Sequence, residues 1–164
     1  MRRQISKNVG LVATVALVLV SGVALANPEA GGDYSQTTTP VPITSASPTA
    51  PTILRSVTLK CPAAGLLFGN ADAGFRLAPS DPSLGPAALR YGISRTTAFD
   101  SSNYHEVYTT YDTIVPAGIQ RFDTCTAGQT VTYRFLSYLA FNVATSSSWA
   151  YQPRLSVIFL RDRD

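Results

Sequence analysis

The chain has 164 residues, a formal net charge of +3 and only 14% charged residues, against about 25% in a typical soluble domain. Arg2, Arg3 and Lys7 supply the whole excess of positive charge, and no acid precedes Glu29, so the chain beyond residue 26 carries ten basic and ten acidic residues. That balance, with Arg and Lys scattered singly, excludes the clustered positive footprint of a nucleic-acid or acidic-membrane binder.

Residues 1–26 have the tripartite form of a secretory signal peptide. A basic head, Met1 to Lys7, precedes the uncharged run Gly10 to Val20, and Ala24-Leu25-Ala26 is a small-x-small cleavage pattern. The alternative is a retained anchor. The apolar stretch Val9 to Ala26 is broken by Ser21 and Gly22, and a spanning helix needs roughly 20 apolar residues. Asn27, not Cys, follows the cut, which argues against a lipid anchor. Cleavage leaves 138 residues, one domain with a tail and no membrane span. Export points to a periplasmic, cell-surface or extracellular location.

Residues 27–52 hold five Pro among many Thr, Ser and Ala. Such a composition has little to bury and is expected to be a disordered linker. The folded domain is expected over 53–164.

Within it, apolar residues alternate with polar ones, the period of half-buried strands. Arg55 to Lys60 places Val57 and Leu59 on one face. Leu66 to Phe68 is a short strand that Gly69-Asn70 is expected to end in a turn. Gly74 to Ala78 follows, then a loop over 78–86, whose three Pro forbid a ladder. Leu89, Tyr91 and Ile93 alternate next. Asn103 to Ile114 reads as a long polar-aromatic strand, Val115 to Gly118 as a turn, and Ile119 to Cys125 as a strand. Ala127 to Gln129 turns again. Thr130 to Phe141 is the longest strand, with Val131, Tyr133 and Phe135 on one side. Ala144 to Pro153 reads as a loop, and Arg154 to Leu160 closes the domain. Seven to eight strands without a capped helical stripe predict an all-β fold, a single antiparallel β-sandwich of jelly-roll or Ig-like type.

The two cysteines, Cys61 and Cys125, are expected to form one structural disulfide in an oxidising compartment. Their separation and the single histidine fit neither a zinc set nor a redox Cys-x-x-Cys pair. The bond either straps the two sheets together or links neighbouring strands at one end.

No catalytic set stands out, and no cofactor or metal motif is present. His105 with Asp112 or Asp123 and a serine would compose a triad, but no nucleophile elbow exposes a serine. Glu106 with Asp112 or Asp100 would be a glycosidase pair without a supporting motif. Asp72, Asp81 and Asp100 lack calcium-loop spacing. The aromatic residues are more suggestive. Trp149 and Tyr151 in the 144–153 loop, and Tyr104 and Tyr108 on the polar strand, are candidate ligand-binding residues, because flat faces with polar tips stack on sugars or grip proteins. The competing expectation is that they fill the core, where large aromatics usually sit.

These observations predict an exported, non-catalytic binding or structural module of the cell envelope or extracellular space. Its partner would be a protein or a polysaccharide. A carbohydrate-binding module and a small secreted hydrolase are the alternatives.

Overall fold

The computed structural model describes residues 30–161. The expected signal peptide, Asn27 to Glu29 and the last three residues lie outside them. The fold is two antiparallel sheets packed face to face. Sheet A has the order β1-β9-β4-β7, with β2 also paired to β9, and sheet B has the order β3-β8-β5-β6. The strands are β1 (Ala30–Gln36), β2 (Val41–Pro42), β3 (Thr52–Lys60), β4 (Gly65–Leu77), β5 (Ala87–Ser94), β6 (Tyr104–Thr109), β7 (Thr113–Cys125), β8 (Thr130–Phe141) and β9 (Trp149–Arg161).

β1 and β2 are successive segments of one edge, both running along β9. Counted so, the pairings nest: first strand with last, β3 with β8, β4 with β7, β5 with β6. A long hairpin rolled on itself in this way is a jelly roll. Of the two sandwich types expected, the strand order selects this one.

The expected periodicity sets the core. Leu67, Ala71 and Phe75 of β4 and Leu155, Val157 and Phe159 of β9 face inward, against Val131, Tyr133 and Phe135 of β8. Phe75 lies 5.1 Å from the Tyr91 ring and 6.2 Å, edge-on, from Phe135. Each such fully buried side chain contributes roughly 1.5–3 kcal/mol.

Four local expectations are corrected. First, residues 30–52 are not a disordered linker. β1 makes seven register pairs with β9, and Ile43 is fully buried in the core. Composition hid this, because an edge strand can be built from small and polar residues once a neighbour supplies the ladder. The folded unit therefore begins before residue 53.

Second, Gly69-Asn70 is not a turn but the middle of the 13-residue β4. Gly69 is there for clearance: an added Cβ would lie 3.2 Å from the Tyr133 ring. Third, Val115 to Gly118 continues β7 rather than turning. β7 is the free edge of sheet A, where the missing Pro116 N–H leaves no ladder bond broken. β6 accordingly stops at Thr109, and the chain turns at 110–112.

Fourth, Trp149 to Pro153 belongs to β9. The register slips there between Asp72 and Gly74, and Gln152 takes φ +47°. That bulge is what admits a proline into a strand paired on both sides.

Cys61, just past β3 in sheet B, is bonded to Cys125 at the end of β7 in sheet A. The disulfide thus straps the two sheets together at one end of the sandwich. Closing a loop of 64 positions stabilises by about 4 kcal/mol in the chain-entropy view. Such a bond fits an oxidising compartment.

Candidate functional site

Both outer faces of the sandwich carry unusual side chains. On sheet B, Tyr104, Glu106 and Tyr108 alternate outward along β6. Across the strand pair, Arg90 lies opposite Glu106, and Ala88 opposite Tyr108. On the next strand, Tyr138 lies opposite Arg90, and Phe141 opposite Ala88.

The polar members form one network. Arg90 Nε donates to Glu106 Oε1, Arg90 Nη1 donates to the Tyr138 hydroxyl (3.0 Å), and the Tyr108 hydroxyl donates to Glu106 Oε2. The guanidinium also sits 5.2 Å from the centre of the Tyr104 ring. The hydrogen bond from Tyr108, and that from Arg90, hold the Glu106 carboxyl below its ordinary range against the opposing effect of burial. The same carboxylate raises the Tyr108 hydroxyl.

A groove of about 300 Å³ runs beside this network, lined by Pro86, Ala88, Tyr108, Ala140 and Phe141 with Arg90, Glu106 and Tyr138. Behind it the 95–103 loop folds back over sheet B. Phe99 packs edge-on against Tyr138 at 4.8 Å, and its N–H donates to the Pro48 carbonyl. The loop returns so closely that a Cβ on Gly92 would meet the Asn103 carbonyl oxygen at 2.4 Å.

Sheet A has a different outer face. Phe122, Phe68 and Ile158 lie side by side across β7, β4 and β9, and Leu66 and Leu160 continue the array in the next outward row. The Phe68 and Phe122 rings are 4.8 Å apart. Phe122 is 68% exposed, and Leu66, Ile158 and Leu160 are each more than 40% exposed, as is Tyr34 on β1. The neighbouring outward positions, Thr124, Gln120, Asn70 and Ser156, are polar and uncharged.

The four aromatic residues singled out from sequence are thus split. Tyr104 and Tyr108 come together on sheet B with Arg90 and Glu106. Trp149 and Tyr151 are on sheet A, and they sit on a strand rather than a loop. Trp149 is half-buried opposite Pro42 and Arg76. Tyr151, also half-buried, lines an open groove of about 530 Å³ at the β9 bulge with Asp72, Gly74, Pro116, Gln152 and Arg154. None of the four is in the core. A single binding loop carrying Trp149 and Tyr151 is therefore not formed.

The residues weighed for catalysis are engaged separately. Asp112 takes two hydrogen bonds from Arg76 (2.9 and 2.6 Å), and Glu106 takes Arg90. Asp100 and Asp123 both bind Arg121, the latter at 2.6 Å. His105 packs edge-on against Tyr91 at 5.9 Å, and among the described residues no hydrogen bond joins it to a serine or a carboxylate. Asp72 faces Arg154, and Asp81 accepts from Ser83. Among the described residues, no group of three potential metal ligands assembles.

Arg90, Tyr138 and Phe141, and the apolar array, were not legible as site residues. Arg90 and Phe141 read as ordinary strand positions, and only the cross-strand register sets them beside Tyr108. An outward-facing signal existed in Phe68 and Phe122, which fall on the polar side of their strands' alternation.

A search of protein-family models and of curated proteins finds no match to this chain. No helix among the described residues is long and apolar enough to cross a membrane.

Proposed function

We propose that this chain is an exported, non-catalytic binding module that docks a protein partner on the outer face of sheet A. One observation carries the reading: Phe122, Leu66, Ile158 and Leu160 are exposed and, with the half-buried Phe68 between them, form a contiguous apolar array on regular sheet. Contiguous apolar surface of this kind marks an interaction site on a soluble protein more often than single exposed residues do.

The face also has the form of an interface. An apolar centre with two aromatic rings in contact is bordered on one side by the row Gln120, Asn70 and Ser156 and, beside Leu66, by Thr124, which supply hydrogen bonds without charge. A flat sheet face is complementary to another flat apolar face, with the two layers about 10 Å apart. Export is supported by the form of residues 1–26 and by a disulfide suited to an oxidising compartment. Because the array carries no charge, its association is expected to persist at high ionic strength.

A photo-crosslinking residue placed at 122, with one at Thr130 as control, tests this in the producing cell. A discrete protein adduct from position 122 and none from 130 is the expected result. An adduct of twice the chain mass identifies a second copy as the partner. Equal labelling at both positions, or none at 122, overturns the proposal.

A further inference from the structure

The geometry points to a second, independent ligand site on the opposite sheet: the groove between Tyr108 and Phe141 takes a neutral, polyhydroxylated ring, the sugar unit of a polysaccharide. It does not rest on the protein-docking role of sheet A.

Shape comes first. Ala88 lies between Tyr108 on one neighbouring strand and Phe141 on the other. Strands are about 4.8 Å apart, so the two ring-bearing backbones stand about 10 Å apart across an alanine floor. Ala140 extends the floor and Pro86 forms a wall. Tyr108 is 57% exposed and Phe141 55%, so each ring offers a free apolar face. The C–H face of a sugar ring stacks on such surfaces, and a slot one ring wide admits it edge-first or flat.

Chemistry decides the class of ligand. Arg90 and Glu106 neutralise each other, so the groove does not favour an anion or a cation. Yet it presents donors and acceptors in one row. Glu106 offers two carboxylate oxygens that already accept from Arg90 and Tyr108 and keep further lone pairs. Arg90 Nη2 has no hydrogen-bond partner among the described residues. Adjacent hydroxyls of a sugar can donate to such a carboxylate and accept from such a guanidinium at once. A purely apolar ligand would strip water from these groups and return nothing.

The site is also built in advance. Arg90 is held by Glu106, by the Tyr138 hydroxyl and over the Tyr104 ring. Tyr138 and Tyr104 are in turn packed by Phe99. On the other side, Asn142 adopts φ +47° and ties down the 78–86 loop. Its side chain accepts from Ser80 Oγ (2.7 Å) and Asp81 N (3.0 Å) and donates to the Asp81 and Gly85 carbonyls (2.8 and 2.7 Å). Pro86 is thereby fixed beside Phe141. Groups held in place before binding lose little freedom when a ligand arrives.

The test uses the purified, oxidised chain on a glycan array, followed by calorimetry with the strongest polysaccharide. Saturable binding is expected, weakened about tenfold or more by Tyr108→Ala and by Glu106→Gln, as for anchor residues at an interface. Phe122→Ser, on the other sheet, should bind normally. Thermal melts of each variant confirm folding, and Tyr108→Phe separates loss of the ring from loss of the hydroxyl. No saturable binding by the folded wild type overturns the inference. So does binding that survives both groove substitutions, including binding lost instead in Trp149→Ala, which would place the sugar on sheet A.

Discussion

Arg121 and Asp123 stand two positions apart on β7, both facing inward, and pair at 2.6 Å with side chains about 15% exposed. Arg121 reaches on to Asp100 and to the Ile93 carbonyl (3.0 Å) of sheet B, and Tyr133 donates to Asp123 at 2.6 Å. One arginine thus joins the free edge of sheet A to sheet B and to the 95–103 loop.

Acid should loosen this junction. Hydrogen bonds from Arg121 and then Ser102 hold Asp100 down at about 2. Burial pushes Asp123 up, but Arg121 and Tyr133 outweigh it and hold the group below its usual value. Both folded-state values lie below the unfolded ones. The stabilisation is therefore complete above about pH 4 and is lost as pH falls toward 2. Denaturant midpoints measured between pH 7 and pH 2 should drop in that window, and less so in Asp123→Asn. That variant should itself be destabilised at pH 7 by about 2 kcal/mol or more, because Arg121 loses its main partner. A pH-independent midpoint would contradict the assignment.

Reduction of the Cys61–Cys125 bond should lower stability by about 2–4 kcal/mol while leaving the same sheets in place. Melting with and without reductant, alongside a Cys61→Ala/Cys125→Ala variant, measures it. The two treatments should agree.

Gly92→Ala and Gly118→Ala should differ sharply. At Gly92 a Cβ meets the Asn103 carbonyl oxygen at 2.4 Å, whereas at Gly118 the nearest atom is 3.4 Å away. The first should cost about 1–3 kcal/mol, and the second far less. Equal costs would mean the 95–103 loop yields freely.

A fragment starting at Ile53 should be markedly less stable than one starting at Ala30. It lacks β1, β2 and buried Ile43, and it leaves the central strand β9 with an open edge. Such an edge templates pairing with other chains, so aggregation by light scattering should rise as well.

Phe122→Ser should leave stability within about 0.5 kcal/mol, since the ring is mostly in solvent. Dye binding to exposed apolar surface should fall. A large loss of stability instead would show that the Phe68–Phe122 stack supports the sheet.

Much of the sandwich was legible in the chain itself. The alternation in Val57-Leu59, Leu89-Tyr91-Ile93 and Val131-Tyr133-Phe135 gave the core faces correctly, and Thr130 to Phe141 was read with its true ends. Glycine and proline misled. Gly69 and Pro116 carry turn propensity, but one makes room for Tyr133 and the other lies on a free edge, and both conditions exist only after the sheets have formed.

The candidate sites divide in the same way. Sequence by itself determined the strand period, the pairing of the only two cysteines and the charge balance. These are local or compositional properties, fixed by residue type and spacing. Tertiary structure alone decided which residues meet. Cross-strand register set Arg90 against Glu106 and Ala88 between Tyr108 and Phe141, and it gathered Phe68, Phe122 and Ile158 into one face. Register depends on pairings between residues tens of positions apart, and a shift of one residue would turn every one of those side chains to the other side of its sheet.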